Sequence, residues 1–250
     1  MTVNFKICCK SDVGRMRSNN EDAVLVNEAF AVMVLADGMG GHQAGEVASH
    51  LATNHIGQNI RQWLAQCKEK TISKNLKRAI SRFVNQASAI IFNQSYSNYE
   101  QRGMGTTVIV AVLHKTRMTI GHVGDSRAYL FREGHLVRLT KDHTMLQELL
   151  DGGVLESEVP KYTNFKNILT RAVGIEPCVE VEFTEYSVQL DDVLLICSDG
   201  LTDMLTDQSI ENLLQQIYNP IEICNQLIVQ ANKSGGIDNT SVAVGIYKRQ

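Results

Sequence analysis

Short runs of apolar and β-branched residues recur along the chain and predict β-strands, because such side chains pack well on a buried or half-buried sheet. The predicted strands cover residues 23–26, 30–36, 107–113, 118–123, 128–131, 181–188, 193–197 and 241–247. Between residues 44 and 96 the apolar positions follow a helical period, which predicts two long consecutive helices. A further stripe over residues 210–217 and the Asn219-Pro220 pair predict two more helices.

The order of these elements favours one fold class. Strands come in runs and helices in pairs, rather than in alternating βαβ units, which indicates an α+β sandwich with antiparallel sheets. No repeat or linker divides residues 1–250, so we predict a single domain. Residues 140–167 are charged and weakly periodic, and we predict that they form a helical flap on the main body.

Composition excludes several classes of protein. The 250 residues are 44% hydrophobic, which is enough for a packed core, and the net charge of −3 provides no broad positive field for nucleic acid or anionic lipid. The longest apolar run, residues 29–36, is shorter than the ~18 residues that a bilayer crossing needs. Six dispersed cysteines, of which Cys8-Cys9 is interpreted as part of an edge strand, form no C-x-x-C pair. We therefore predict a cytoplasmic protein without membrane or nucleic-acid partners.

Acidic residues lie at the ends of the predicted strands, mostly beside glycine or another acid. They are Glu21-Asp22, Asp37-Gly38, Asp125, Asp199-Gly200 and Asp238-Asn239. A single Asp-Gly after a strand is ordinarily a turn. Several carboxylates brought into one cleft by neighbouring strand ends repel each other unless cations neutralise them. Oxygen ligands of this kind suit Mg²⁺ or Mn²⁺ better than zinc or copper.

Other site motifs are absent from the sequence. The glycine-rich run at residues 38–41 is followed by Gln43 where the dinucleotide-binding pattern has its last glycine, and no phosphate-binding P-loop pattern occurs. No serine lies in G-x-S-x-G, and there is no H-E-x-x-H or EF-hand loop. His114, His122 and His135 have no partner at metal-ligand spacing, so we interpret them as packing or surface residues.

Six short motifs follow one another along the chain. They are residues 11–22 (SDVGRMRSNNED), 37–46 (DGMGGHQAGE), 103–107 (GMGTT), 123–127 (VGDSR), 198–200 (SDG) and 236–239 (GIDN). In order and spacing they resemble the protein phosphatase 2C family, the metal-dependent serine/threonine phosphatases, and most of all its compact bacterial branch. The resemblance covers residues 11–247 and implies a four-layer αββα sandwich, with two antiparallel β-sheets flanked by helix pairs.

The resemblance further implies a dinuclear metal centre at one edge of the sandwich. Asp37 would bridge two ions of Mg²⁺ or Mn²⁺, and Asp199 and Asp238 would hold one of them. Glu21 and the Gly38 carbonyl would hold the other, partly through water. A hydroxide that bridges the ions would attack phosphorus directly, without a covalent enzyme intermediate, so Asp37 is also a candidate catalytic residue.

Other residues are implied to surround this pair of ions. Asp22 would orient metal-bound waters, and a weaker third ion would bind Asp125. Arg17 matches the family's phosphate-binding arginine, which makes it a candidate for both catalysis and substrate binding. The alternative for Arg17 is a surface ion pair with Glu21 or Asp22.

Met39 departs from the eukaryotic members of the family, which carry at this position a histidine proposed as the general acid. Here a metal-bound water or His42 would have to protonate the leaving group. His42 is therefore a candidate substrate-binding residue, and the alternative is a packing role at a loop or helix start.

Together the motifs imply a phosphatase that hydrolyses phosphoserine and phosphothreonine in proteins. We predict that its partners are phosphorylated proteins, that it opposes a bacterial serine/threonine kinase, and that it is a monomer. Two alternatives remain open: a metal-dependent phosphatase of small phosphoesters, and a catalytically weak relative that binds phosphoproteins. The second is disfavoured because every carboxylate that the metals need is present.

Overall fold

The computed structural model describes residues 3–40, 44–155, 159 and 161–249. Two antiparallel β-sheets face each other and α-helices cover the outer face of each sheet, so the chain forms four layers in the order α, β, β, α. None of the helices in these ranges combines the length and the apolar character that crossing a membrane requires.

Five strands form the first sheet. In spatial order they are β1 (Val3–Asp12), β11 (Thr240–Arg249), β10 (Val193–Cys197), β7 (Arg127–Arg132) and β8 (His135–Arg138). The helices on its outer face are α4 (Asp199–Thr202), α5 (Asp207–Gln216) and α6 (Pro220–Lys233). The first and last strands of the chain are neighbours, paired from Val3↔Arg249 to Asp12↔Thr240.

The second sheet lies against the two long helices. Its strands are β2 (Asp22–Asn27), β3 (Val32–Met39), β5 (Val108–His114), β6 (Arg117–Val123) and β9 (Glu182–Ser187), and the short β4 (Gly105–Thr106) pairs with the end of β3. The helices are α1 (Ala44–Gln66) and α2 (Glu69–Ser97).

Alternate residues of β3 belong to two different cores, which explains its uninterrupted apolar sequence. Val32, Val34 and Ala36 pack with α1 and α2, whereas Met33 and Leu35 pack between the two sheets. All five are fully buried. Packing on both faces therefore fixes the register of this strand. It also fixes the position of Asp37, which follows the apolar run.

The structure confirms the α+β class, the four-layer sandwich and the two long helices. All eight predicted strands are present, and β1 is an edge strand that contains Cys8-Cys9, as predicted. Asn219 caps α6 as predicted, since its Oδ1 accepts from the Ile221 N–H at 2.9 Å and Pro220 is the first helical residue. The sequence pattern did not predict β4 or β8.

The predicted flap, residues 140–167, lies between β8 and β9. Its described part contains the short helix α3 (Met145–Asp151), which Thr144 caps by accepting a hydrogen bond from a backbone N–H of the first turn. Asp142 joins the flap to the first sheet through the Arg127 guanidinium, at a closest N···O distance of 2.7 Å. The base of the flap is therefore anchored to the sandwich.

Candidate metal centre

A cleft with a volume of about 530 Å³, which we call the metal cleft, opens at one edge of the two sheets. Six of the seven predicted metal residues line it: Glu21, Asp37, Gly38, Asp125, Asp199 and Asp238. Asp22, the seventh, is 4% exposed and lies behind the cleft, where it is paired with Asp37 across β2 and β3. The structure thus brings together acidic residues from both ends of the chain.

Strand ends and tight turns position these side chains. Asp37 lies near the end of β3, and Asp125 lies in the turn between β6 and β7. Asp199 is the first residue of α4, directly after β10, and Asp238 shortly precedes β11. Because these strand ends meet at one edge, the four carboxylates converge on one cleft.

Two glycines allow the backbone segments of the site to approach each other. A β-carbon on Gly38 would lie 2.6 Å from the carbonyl oxygen of Glu21 and would also overlap the backbone of Gly45. A β-carbon on Gly200 would overlap the carbonyl oxygen of Asn239. Any larger residue would therefore push apart the segments that carry the acidic side chains.

The Gly-Met-Gly-Thr-Thr motif fixes the backbone of Asp37. The Asp37 N–H donates to Thr107 Oγ1 (3.0 Å), and the Asp37 carbonyl accepts from the Thr107 N–H (2.8 Å) and from the Thr106 hydroxyl (2.8 Å). Thr107 Oγ1 is also 2.8 Å from the hydroxyl of Ser126, the residue after Asp125. The two threonines thus couple the positions of two carboxylates in the cleft.

Asn239 holds the loop that carries Arg17 and Glu21. Its Oδ1 accepts from the Glu21 N–H at 2.8 Å, and its Nδ2 donates to the carbonyls of Val13 (2.9 Å) and Asn19 (2.8 Å). The Asn239 side chain is buried, so loss of these bonds would leave polar groups unsatisfied. Sequence reasoning did not identify this role, because the partners lie at the opposite end of the chain.

The environment of the cleft disfavours the charged forms of its carboxylates. Burial, followed by repulsion from Asp22, Asp199 and Asp125, raises the pKa of Asp37 well above its ordinary value. Burial, followed by repulsion from Asp125 and other acidic neighbours, raises the pKa of Asp199 to about 8. Burial is also the main reason why the pKa values of Asp22 and Asp125 rise to about 6. This arrangement of carboxylates is therefore unfavourable without a compensating positive charge.

The donor set fits a divalent cation. All the candidate ligands are oxygens, which Mg²⁺ and Mn²⁺ prefer, and cations would offset the repulsion between the carboxylates. Asp22 Oδ2 accepts a hydrogen bond from the Ser198 hydroxyl at 2.7 Å, whereas Asp22 Oδ1 is buried without a hydrogen-bond partner among the described residues. A water held between Oδ1 and a cation would satisfy this oxygen. Asp22 is thus buried and does not line the cleft itself, and its role in orienting metal-bound waters stays a prediction.

Arg17 lies at the rim of the metal cleft. Its Nη2 donates to Asp238 Oδ2 at 2.7 Å, and 52% of the side chain is exposed. This partner is neither Glu21 nor Asp22, the two acidic residues that the sequence suggested as surface partners. An exposed ion pair contributes little stability, so the guanidinium can turn toward an anion in the cleft at a small energetic cost.

Met39 lines the metal cleft beside Gly38. A thioether, which cannot donate a proton, thus occupies the position where eukaryotic members of the resembled family carry histidine. His42 lies outside the described residues, so its part in substrate binding stays a prediction.

A pair of histidines that the sequence spacing did not reveal lies at the base of the flap. The rings of His122 and His143 stack with their centroids 4.6 Å apart and an interplanar angle of 16°. Potential ligand atoms of these residues and of Glu182 lie within 4.8 Å of one another. Burial lowers the pKa of both histidines, which disfavours their protonated forms.

Hydrogen bonds occupy three of the four ring nitrogens in this histidine cluster, and His122 Nδ1 is buried without a hydrogen-bond partner among the described residues. His143 Nδ1 accepts from the Gly124 N–H at 3.1 Å, so the ring proton is on Nε2, which donates to Glu182 at 3.2 Å. His122 Nε2 donates to the Lys141 carbonyl at 2.8 Å. Two stacked, nearly parallel rings cannot both direct their in-plane lone pairs at one ion. The cluster instead ties the flap to the turn between β6 and β7.

Replacing His143 by leucine should lower the free energy of unfolding by about 1–3 kcal/mol, because the buried Gly124 N–H loses its acceptor. The His143→Asn variant should recover part of this loss, since its Oδ1 can take the place of the ring Nδ1. Urea denaturation of the wild type and both variants tests this prediction. Equal losses in the two variants would show that ring stacking, and not the hydrogen bond to Gly124, stabilises the flap base.

Comparisons with known proteins place this chain in a family. A family model described as Protein phosphatase 2C matches residues 15–231. The serine/threonine phosphatase Stp of Listeria welshimeri is 37% identical over 236 residues, which cover 93% of this chain and 92% of that protein. The Mycobacterium tuberculosis serine/threonine phosphatase PstP/Ppp has a similar structure, with a TM-score of 0.88, 33% identity, and coverage of 98% of this chain and 100% of that chain. The catalytic domain of PstP in complex with two manganese ions aligns with a TM-score of 0.84 and 33% identity, over 99% of this chain and 100% of that chain.

The matched region contains most of the metal cleft. Residues 15–231 include Arg17, Glu21, Asp37, Asp125 and Asp199, and Asp238 follows shortly after. The Listeria relative matches over nearly the whole of both chains. The fold, the acidic cleft and these matches agree, and the chain therefore belongs to the protein phosphatase 2C family.

Proposed function

We propose that this chain is a metal-dependent phosphatase that hydrolyses phosphoserine and phosphothreonine in proteins. The observation that carries the proposal is the metal cleft, in which five carboxylates converge below an arginine at the rim. The names of the relatives, serine/threonine phosphatase Stp and PstP, support the same reaction and substrate class.

We assign the metal ligands as the motifs imply. Asp37 would bridge two ions, Asp199 and Asp238 would bind one of them, and Glu21 and the Gly38 carbonyl would bind the other. Bound Mg²⁺ or Mn²⁺ supplies Lewis acidity, which activates water as a nucleophile and offsets negative charge on the phosphoryl group. The complex of PstP with two manganese ions supports a site of this kind.

The chain's own groups bind and orient the substrate. Arg17 can donate two parallel hydrogen bonds to phosphate oxygens once it leaves its exposed pair with Asp238. Asp22 would hold a water through its Oδ1, which is buried without a hydrogen-bond partner among the described residues. Because Met39 cannot donate a proton, water or His42 must protonate the leaving group.

Phosphorylated proteins are the partners that this function requires. A serine/threonine kinase must produce them, so we propose that the phosphatase opposes such a kinase.

A monomeric state is supported because one chain supplies every candidate residue of the cleft. Six unpaired cysteines support a reducing, cytoplasmic location. Residues 1–250 would form one catalytic domain whose flap, residues 140–167, reaches the cleft through Asn167.

Phosphate release from a phosphothreonine peptide, with and without added Mn²⁺, tests the proposed function. We expect turnover that EDTA abolishes and that Mn²⁺ or Mg²⁺ restores. A higher kcat/KM on small phosphorylated metabolites would support the alternative of a small-phosphoester phosphatase. Tight binding of the phosphopeptide without turnover would support the alternative of a binding module.

Asp125→Ala should lower turnover while the two tighter ions remain bound, because we assign Asp125 to a weaker third site together with Asp199. Calorimetric titration with Mn²⁺ counts the ions that each protein binds, and the variant should lose only the weakest one. Loss of a high-affinity ion would place Asp125 among the ligands of the main pair instead.

A further inference from the structure

A second groove, with a volume of about 220 Å³, opens beside the metal cleft at the C-terminal end of α2. We call it the α2 groove, and its lining includes Phe92, Tyr96, Arg102 and Ile175. Ile175 also lines the metal cleft. The two depressions therefore adjoin each other at the Ile175 side chain.

Apolar side chains in the α2 groove are exposed to solvent. Tyr96 is 75% exposed and Ile175 is 46% exposed. The Phe92 ring contacts the Tyr96 ring with centroids 4.8 Å apart and a tilt of 47°. Exposed apolar patches with polar borders mark interaction sites, and aromatic residues contribute strongly to recognition. This part of the surface is thus suited to an apolar group of a ligand.

Backbone hydrogen bonds hold Ile175 in place between the groove and the cleft. Val173 exchanges two of them with Thr106, at 2.8 and 2.9 Å, and the Gly174 N–H donates to the Ser88 hydroxyl at 2.9 Å. Gly174 has a φ of 93° and lies so close to α2 that a β-carbon would overlap the Ile91 side chain of that helix. The loop is therefore preorganised, which reduces the entropy that ligand binding costs.

Arg102 adds a positive charge to the α2 groove. Its side chain is exposed, and no carboxylate among the residues that the structure describes forms an ion pair with it. An unpaired guanidinium beside an apolar wall favours an acidic side chain of the ligand. The groove thus combines an apolar contact with a neighbouring charge contact.

We propose that the α2 groove binds a large apolar side chain of the phosphoprotein substrate, at a position close in sequence to the phosphorylated residue. This inference rests on the proposed phosphatase function and adds a substrate preference to it. The substrate chain runs from the metal cleft past Ile175. Phe92 and Tyr96 then contact its apolar side chain. Arg102 attracts an acidic residue next to that side chain. A small phosphoester fills only the metal cleft and does not contact the groove.

A series of phosphoserine peptides tests the inference. A single leucine is moved through the positions on either side of the phosphoserine in an otherwise alanine and glycine background. We expect one position at which leucine raises kcat/KM about tenfold over alanine, which corresponds to about 1.4 kcal/mol. Tyr96→Ala and Ile175→Ser should each reduce this leucine-to-alanine ratio toward one. Aspartate next to that leucine should raise kcat/KM further, and Arg102→Gln should remove this gain.

Tyr99→Ala is the matched control, because Tyr99 is 87% exposed and does not line the α2 groove. This variant should keep both the leucine preference and the wild-type activity on p-nitrophenyl phosphate. Thermal unfolding of every variant checks that the exposed substitutions leave the fold intact.

Three results would overturn the inference. Hydrolysis of phosphopeptides without any leucine preference, or a preference that Tyr96→Ala and Ile175→Ser retain, would show that the groove does not bind substrate. A changed oligomeric state of Tyr96→Ala in sedimentation would show an interface between copies of the chain instead. Failure of the wild type to hydrolyse any phosphopeptide would contradict the proposed function itself, and with it this inference.

Discussion

Exchange of Asp37 for asparagine should reduce kcat by more than about a hundredfold. Mutation of a residue one layer outside a metal's ligands already lowers metal affinity or activity about 10- to 100-fold, and a ligand should matter more. The same exchange should stabilise the metal-free protein. Burial and repulsion raise the pKa of Asp37 in the folded state, so the metal-free wild type loses stability as the pH rises from the ordinary aspartate pKa towards the raised value. Asparagine carries no charge and removes this loss.

Thermal unfolding in EDTA and in Mn²⁺ separates the loss of ion binding from the relief of carboxylate repulsion, because an ion that binds only the folded state raises the Tm. Asp37→Asn should have a higher Tm than the wild type in EDTA and a smaller rise when Mn²⁺ is added. Asp191→Asn is the control, since Asp191 is exposed and has a φ of 67°, which asparagine adopts readily. Near wild-type, Mn²⁺-dependent turnover by a folded Asp37→Asn protein would contradict the assignment of Asp37 as a ligand.

Arg17→Ala should lower kcat/KM for phosphopeptides by roughly 10- to 100-fold, because hydrogen bonds to charged groups are worth about 1.5–3 kcal/mol. Mn²⁺ affinity should stay the same or increase. The reason is that Arg17 Nη2 lies 2.7 Å from Asp238 Oδ2, where it would compete with a cation for the same oxygen. Initial rates and Mn²⁺ titrations of the same samples measure both quantities.

Two further variants make this test specific. Arg17→Lys keeps the charge but cannot donate two parallel hydrogen bonds, so its kcat/KM should be intermediate. Arg61→Ala removes an exposed arginine of α1 outside the metal cleft and should leave both quantities unchanged. If Arg17→Ala weakens Mn²⁺ binding while phosphate affinity persists, Arg17 has a structural role and our assignment is wrong.

The layers of the fold were predictable because most strands are apolar on both faces. In β3, residues that pack with the helices alternate with residues that pack between the sheets, which produces an apolar run that stands out in the sequence. The four residues of β8 lie at a sheet edge with exposed and half-buried side chains. So short a strand has no clear apolar pattern, and its pairing with β7 is what defines it.

The candidate ligands could be selected from the sequence because an acid beside glycine at a strand end is a local signal. The groups that position them carry no such signal. Asn239 and His143 act through partners distant in the sequence, and polar residues of these types occur in many other settings. Ile175 and Tyr96 likewise form one surface only because a loop packs on the end of α2. The positioning contacts and the groove surface arise because segments that are distant in the sequence pack together in the fold.

The pairing of β1 with β11 also determines when the metal cleft can form. Asn239, just before β11, binds the Glu21 N–H across a separation of 218 residues, and contacts of such range form late in folding. During synthesis, the loop that carries Arg17 and Glu21 therefore lacks this contact until residue 239 has been made. A chain released before residue 238 lacks the candidate ligand Asp238, Asn239 and the strand that follows them. We therefore expect a chain that ends before residue 238 to lack phosphatase activity on phosphoproteins.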